Sequence, residues 1–122
     1  MISDFTEILI ELMGEIRDSI GVVIQDWEGE TIDYFGNMED DYLKITGAQW
    51  GIIWRMFKFG NKIENFGEPK EIIIETDMNK ILINTLIHDY YLVLIMKNTA
   101  NITITTSKLQ YFLEKIKKEM GL

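Results

Sequence analysis

Apolar side chains near the start of the chain recur at intervals of three and four residues. They are Phe5, Ile8, Leu9, Leu12 and Ile16. Because an α-helix turns about 100° per residue, this spacing places all of them on one face. The pattern predicts a first amphipathic helix that packs one apolar stripe against the rest of the protein.

The next part of the chain has the pattern of a β-hairpin. Residues 18–25 are a short apolar run rich in β-branched side chains, and residues 31–35 alternate between apolar and polar positions. Both patterns are typical of strands. The connection is Asp-Trp-Glu-Gly at 26–29, and Gly29 can adopt the positive φ that a tight turn requires.

Three more strands are predicted in the second half of the chain. They cover residues 70–77, 80–87 and 90–96, with only two residues between one strand and the next. Connections this short can join only antiparallel neighbours, so the three strands should form a meander. The loop before the meander, residues 60–69, contains the single proline of the chain.

The C-terminal segment has a helical pattern whose start is ambiguous. Its apolar face consists of Leu109, Phe112, Leu113 and Ile116. The residues before it, 101–107, are β-branched and fit either a strand or the first turns of the helix. With a middle helix before the meander, we expect an α+β fold with one antiparallel sheet, in a single domain covering residues 1–122.

The middle helix is predicted over residues 46–60, and its pattern extends back to Leu43. It is apolar on two opposite sides, whereas a surface helix needs only one apolar stripe. One stripe comprises Leu43, Gly47, Trp50, Trp54 and Phe57, with Gly51 at its margin. The other comprises Ile45, Ala48, Ile52, Met56 and Phe59. Since one stripe packs on the sheet, the other needs a further partner.

A second copy of the chain is the partner that we expect. Gly47 and Gly51 cost about 1 kcal/mol each in helix propensity, which a close approach of another backbone would explain. Each large ring that becomes fully buried contributes up to ~4–6 kcal/mol, against an association cost of ~4–15 kcal/mol. On the helix, the predicted dimer interface is Gly47, Trp50, Gly51, Trp54 and Phe57.

The first strand of the meander supports the same interpretation. It follows a long loop and pairs forward with the next strand, so it should lie at the edge of the sheet. Edge strands are normally protected by charge, proline or bulges. Ile72, Ile73 and Ile74 have no such protection, and we therefore add them to the predicted dimer interface.

Composition and charge exclude several classes of function. The 122 residues contain no cysteine and one histidine, His88, so disulfides, zinc–sulfur sites and the usual zinc or iron centres are excluded. An all-carboxylate magnesium or calcium site stays open, but no spaced acidic loop of the EF-hand type is found, and no cofactor and no metal is predicted. The net charge of −8 argues against nucleic acid as a partner, because nucleic-acid binding depends on Lys and Arg. Acidic residues dominate positions 1–41, which carry a net charge of −11.

Membrane and secretion signals are not evident in the sequence. The N-terminus has acidic side chains and no basic leader region, unlike a signal peptide. No window reaches the ~18 uncharged apolar residues that a membrane-spanning helix needs. A cytoplasmic, water-soluble protein is the expectation.

Three stretches of the sequence resemble the roadblock family, the dynein light chain group whose bacterial and archaeal members accompany Ras-like GTPases. Residues 21–35, GVVIQDWEGETIDYF, are similar to the first hairpin of that family. Residues 71–98 are similar to its three-strand meander, and residues 99–118 to the Asn-led segment that opens its last helix. The order of elements agrees from residue 3 to residue 120.

This resemblance implies a particular fold and assembly. The sheet should have the strand order 2-1-5-4-3, with the first and last helices on one face and the middle helix on the other. The dimer should join third strands edge to edge and pair the middle helices. The resemblance also implies that residues 101–107 belong to the last helix, with Asn101 as its cap.

The leading functional hypothesis is a non-catalytic homodimer that regulates or carries a small Ras-like GTPase. The paired middle helices and nearby loops would be the docking platform, with Lys44, Arg55 and Lys58 as possible partner contacts. An arginine finger from Arg55 or Arg17 is a minor alternative.

Two other classes stay open. One is a small-molecule sensor, in which Trp50, Trp54 and Phe57 line a ligand pocket. The other is a weak enzyme, for which the adjacent His88 and Asp89 are the candidate residues, although no motif for a nucleophile or for phosphate binding is found. Most histidines in such a turn are simply exposed.

Overall fold

The computed structural model describes residues 4–59, 67–87 and 89–121. Within these residues, three helices and five strands follow one another in the predicted order. They are α1 (Asp4–Glu15), β1 (Ser19–Gln25), β2 (Thr31–Gly36), α2 (Asp40–Phe59), β3 (Glu71–Glu75), β4 (Asn79–Thr85), β5 (Tyr91–Lys97) and α3 (Ile102–Glu119). Most of the predicted loop at 60–69 lies outside the described residues.

The five strands form one sheet in the order β2-β1-β5-β4-β3. All four pairings are antiparallel, as expected for hairpin connections. The predicted strand order is therefore confirmed. The central strand, β5, lies between β1 and β4. Among the described residues, β3 pairs with β4 alone, and its other backbone edge is open.

Alternation along the central strands divides the core into two layers. Val22, Ile24 and Leu94 point to the face covered by α1 and α3. Val23 and Val93 point to the other face, which is covered by α2. Both sets are buried, so the central strands are apolar on both sides, as in a sheet that lies between two helical layers.

Local signals fix the first hairpin. One carboxylate oxygen of Asp26 accepts hydrogen bonds from the backbone N–H groups of Glu28 and Glu30, both at 2.9 Å. Gly29 has a φ of +86°, a conformation that L side chains rarely adopt. These features close the turn between β1 and β2, and Gly29 lies next to the guanidinium of Arg55 from α2.

The ambiguous segment at 101–107 is helical. The side chain of Asn101 accepts a hydrogen bond from the backbone N–H of Ile104 at 3.0 Å, which caps the first turn of α3. Capping satisfies one of the N–H groups that a helix leaves unpaired at its start. Thr105 and Leu109 then face the core. The Asn101 cap and the burial of this face favour the helix more strongly than the β-branched side chains favour a strand.

Candidate functional site

One side of α2 packs on the sheet of its own chain. Gly47 and Gly51 face this sheet, and an added Cβ would lie 3.1 Å from Val23 Cγ2 or 2.0 Å from Tyr91 Oη, respectively. Trp54 is 0% exposed. Its ring stacks on that of Tyr91, with 4.5 Å between the ring centroids. The small residues therefore let α2 approach the sheet closely.

This placement corrects part of the predicted dimer interface. Gly47, Gly51 and Trp54 were expected to contact a second copy, but all three are buried within one chain. The sequence pattern identified the stripe and did not show which stripe faces the sheet. The deciding factor is Tyr91, whose long side chain leaves room only for glycine at position 51.

A polar network ties the buried side of α2 to the sheet. The hydroxyl of Tyr91 donates to Gln25 Oε1 at 3.0 Å and accepts from Arg55 Nη1 at 2.9 Å. Trp54 Nε1 donates to Thr85 Oγ1 at 2.8 Å. Burial raises the pKa of Tyr91, and the nearby Arg55 guanidinium opposes that rise. The phenol therefore stays protonated at neutral pH and serves both partners.

The three predicted docking cations are each engaged inside the chain. Arg55 bonds to the hydroxyl of Tyr91. The Lys44 ammonium lies 4.6 Å from the centre of the Tyr34 ring, a cation–π distance. Arg55 and Lys44 are partly buried, and they lie on the side of α2 that faces β2 and its hairpin turn. We call this the basic side of α2.

Lys58, near the end of α2, joins it to two later segments. Its ammonium contacts Glu68 and lies 3.3 Å from Asp89, and its side chain is only 12% exposed. The hydrogen bond with Glu68 raises the pKa of Lys58, and burial opposes this rise. These contacts hold the charge of Lys58 within the protein. The predicted role in partner docking stays a prediction.

The stripe opposite Trp54 is exposed and apolar. Ile45 is 57% exposed, Ile52 49%, Met56 65% and Phe59 52%. We call these four residues the outer face of α2. Phe59, at the end of the helix, turns its ring towards both neighbours: it meets the ring of the exposed Trp27 edge-on at 6.4 Å and that of Trp54 edge-on at 6.0 Å. The contact with Trp27 extends the patch to the first hairpin. The sequence pattern identifies this stripe but does not assign it to an interface. Its lack of glycine is the signal that could have shown that this stripe does not face the sheet.

Trp50 and Phe57 lie on a third side of α2, the groove side. Trp50 is half-buried and Phe57 is exposed. Together with Ile53, Trp50 lines a groove of about 420 Å³, whose opposite wall includes Ile81 and Asn79 of β4. The groove side therefore faces β4 and the edge strand β3, away from the basic side.

The open edge of the sheet lies beyond this groove. Ile73 of β3 is exposed, while Ile72 and Ile74 are partly buried against the core beneath α2. The prediction that this strand lies at an edge is confirmed. Its outer backbone N–H and C=O groups can pair with another strand.

Two features are absent from the part of the chain that the structure describes. Residues 4–59, 67–87 and 89–121 contain no cluster of three or more acidic or histidine side chains that could hold a metal ion. Within the same residues, no helix is both long and apolar enough to cross a bilayer. His88, one half of the weak catalytic alternative, lies outside the described residues, and Asp89 contacts Lys58.

The order of the elements and the strand order β2-β1-β5-β4-β3 define an α+β sandwich of the Roadblock/LC7 fold. A Roadblock/LC7 domain from Streptomyces avermitilis superposes with a TM-score of 0.86 and 12% identity, over 98% of this chain and 100% of that chain. MglB of Myxococcus xanthus gives a TM-score of 0.82 and 14% identity, over 97% and 98% of the two chains.

A third structure of this kind is the gliding protein MglB of Thermus thermophilus. Its TM-score is 0.80 at 13% identity, over 93% of this chain and 86% of that chain. No protein-family model matches the sequence, and no curated protein matches it. The chain therefore shares the fold of these proteins over nearly its whole length, at a sequence identity of 12–14%.

Proposed function

We propose that this chain is a non-catalytic, homodimeric regulator or scaffold that docks a small Ras-like GTPase. The Roadblock/LC7 fold and the sequence resemblance to that family support this class. The observation that carries the proposal is the outer face of α2. Large apolar side chains concentrated on one exposed helix face are typical of a protein interaction site.

Dimerisation through the open edge of β3 gives the helices a defined arrangement. A twofold axis beside β3 pairs two copies of this strand and extends the sheet from five strands to ten. The groove sides of the two α2 helices then face each other, since that side looks towards β3. Trp50 and Phe57 keep their predicted place in the dimer interface, together with Ile73.

The outer face stays free in such a dimer. Ile45, Ile52 and Met56 lie about 180° from Trp54 around the helix and therefore point away from the sheet and from the twofold partner. Two outer faces form one apolar platform across the dimer. The GTPase docks on this platform, while the basic side of α2 keeps its contacts inside the chain.

A capture experiment tests this function directly. Ras-like GTPases from the same organism are loaded with GDP or with a non-hydrolysable GTP analogue and passed over the immobilised protein. We expect retention of one GTPase to depend on its nucleotide. Met56→Glu, which places a charge in the centre of the platform, should weaken retention at least about tenfold.

Tyr111→Glu is the matched control, because Tyr111 is equally exposed but lies on α3. It should leave capture unchanged, and sedimentation should show that both variants retain the dimer. Failure of every Ras-like GTPase to bind in either nucleotide state would contradict the proposal. Equal capture by Met56→Glu and wild type would contradict the assignment of the outer face.

A further inference from the structure

A separate cavity lies on the other face of the sheet, between α3 and the edge formed by β3 and β4. Its volume is about 600 Å³, within the range of ~300–1,000 Å³ that is typical of small-molecule pockets. Glu71 of β3 and Asn84 of β4 line it, and these two residues are direct partners across the strand pair. Gln110 and Lys117 of α3 line it as well.

Glu71 and Asn84, which line this cavity, each carry an unpaired acceptor. Glu71 Oε1 and Asn84 Oδ1 are buried, and neither has a hydrogen-bond partner among the described residues. Asn84 is 3% exposed. Buried polar atoms are nearly always paired, because an unmade hydrogen bond in a protein interior is costly. Two unpaired acceptors on adjacent strands therefore point to a ligand that supplies N–H donors.

The remaining lining residues narrow the chemistry of that ligand. A carboxylate beside an amide oxygen favours a cationic donor such as a primary ammonium group. Lys70, Lys117 and Glu68 also line the cavity; Glu68 is paired with Lys58, and the Lys117 ammonium lies 4.0 Å from Glu114. The two lysines disfavour a bare metal ion and favour a ligand that also carries an anionic group. Leu86 and Leu113 supply an apolar wall.

We propose that this cavity binds a small zwitterion of the amino-acid class, either a free amino acid or a dipeptide. The ammonium group of the ligand donates to Glu71 Oε1 and Asn84 Oδ1, and its carboxylate lies near Lys117 and Lys70. An apolar side chain of the ligand packs against Leu113. This site lies across the sheet from the outer face of α2 and does not depend on the proposed GTPase partner.

Isothermal titration calorimetry on the full chain tests this site. The probes are the free amino acids and a set of apolar dipeptides, with n-butylamine and butyrate as half-ligands that carry one charge each. We expect saturable binding of at least one zwitterion with one site per chain. Each half-ligand should bind at least about tenfold more weakly, because it satisfies only one end of the site.

Two variants separate this site from non-specific binding. Glu71→Gln keeps the shape of the side chain but removes its charge, and Asn84→Leu removes the amide acceptor; each should weaken binding at least about tenfold. Glu75→Gln is the matched control. Glu75 lies on the same face of β3 as Glu71, but it pairs with Lys80 at 3.3 Å. The Glu75→Gln variant should therefore bind the ligand like wild type.

A measurement on the wild-type chain keeps the proposal testable even if a variant fails to fold. In NMR titrations, the side-chain amide signals of Asn84 and Gln110 should shift with the same saturation curve as the calorimetry. The proposal is overturned if no zwitterion binds at about 10 mM, a concentration that detects even weak sites. Undiminished binding by a folded Glu71→Gln variant would overturn it equally.

Discussion

Gly51 lies directly against the phenol of Tyr91, and a Cβ at position 51 would fall 2.0 Å from Tyr91 Oη. Trp54, almost one turn further along α2, stacks on the same ring. One aromatic side chain from the central strand β5 thus meets a glycine and a tryptophan of the helix. This contact determines which side of α2 is buried and which is exposed.

Replacing Gly51 with alanine should destabilise the protein. Alanine normally gains up to about 1 kcal/mol over glycine inside a helix, but here the added methyl group overlaps the Tyr91 ring. Overpacking of this kind costs about 1–3 kcal/mol. We expect a net loss in the free energy of unfolding of up to about 2 kcal/mol, measured by urea denaturation.

Gly14→Ala is the control for this change. Gly14 lies in α1, and a Cβ there would meet no atom within 4 Å. Near the end of a helix, the gain should be at most about 1 kcal/mol, and the protein should become slightly more stable. Shifts of the same sign for Gly14→Ala and Gly51→Ala would contradict the packing described for α2.

Removing the hydroxyl group of Tyr91 should also destabilise the protein. Tyr91→Phe keeps the ring that stacks on Trp54, but Gln25 Oε1 loses its donor and Arg55 Nη1 loses its acceptor. Leaving buried polar groups unpaired costs about 1–3 kcal/mol. The free energy of unfolding at neutral pH should fall by that amount, and an unchanged value would show that the network contributes nothing.

The same variant gives a prediction at alkaline pH. Burial raises the pKa of Tyr91 above its ordinary value. Above about pH 10, an unfolded tyrosine loses its proton while folded Tyr91 keeps it, so the unfolded state binds fewer protons and stability falls as pH rises. The other groups titrate alike in both proteins.

The stability advantage of wild type over Tyr91→Phe should therefore shrink as pH rises above about 10. Urea denaturation of both proteins from about pH 8 to about pH 11 measures it. A constant difference across that interval would contradict a raised pKa.

Charged substitutions on two sides of α2 should have different consequences. Phe57→Glu places a carboxylate on the groove side, where the side chain is exposed in one chain but buried in the proposed dimer. It should weaken dimerisation at least about tenfold and leave the fold intact. Sedimentation equilibrium and circular dichroism measure these two effects.

Trp54→Glu is the contrasting change, because Trp54 is fully buried within one chain. It places a carboxylate in the core next to Tyr91 and should unfold the protein. Ile73→Lys, at the open edge of β3, should behave like Phe57→Glu. If Phe57→Glu and Ile73→Lys both remained dimeric, the proposed twofold arrangement would be wrong.

Much of the fold follows from periodicity and connection length. The short predicted connections indicated the meander, although the strands of the structure are separated by residues 76–78 and 86–90. The apolar, β-branched run at residues 18–25 indicated a buried strand. The order 2-1-5-4-3 came from the family resemblance, since hairpin lengths alone do not place β1 beside β5. The start of α3 was also predicted from the family resemblance. The composition of residues 102–106 favours a strand, whereas a cap at Asn101 favours a helix.

The candidate site was harder to predict, for a physical reason. Helical periodicity shows that α2 has two apolar stripes, but the choice between them depends on Tyr91, which is 40 positions from Gly51. The engagement of Arg55 with Tyr91 depends on the same distant residue. The pairing of Glu71 with Asn84 depends on the register of β3 and β4, which hydrophobic patterning does not specify.

The contact between Gly51 and Tyr91 has a consequence for recognition. Rotating α2 about its own axis by one residue would bring Ile52 or Trp50 onto the phenol, where neither side chain has space, so the helix is locked in a single rotational setting. Ile45, Ile52 and Met56 are thus held in place before any partner arrives. A protein that docks on them loses little conformational entropy in the receptor and meets a preorganised, rigid ridge.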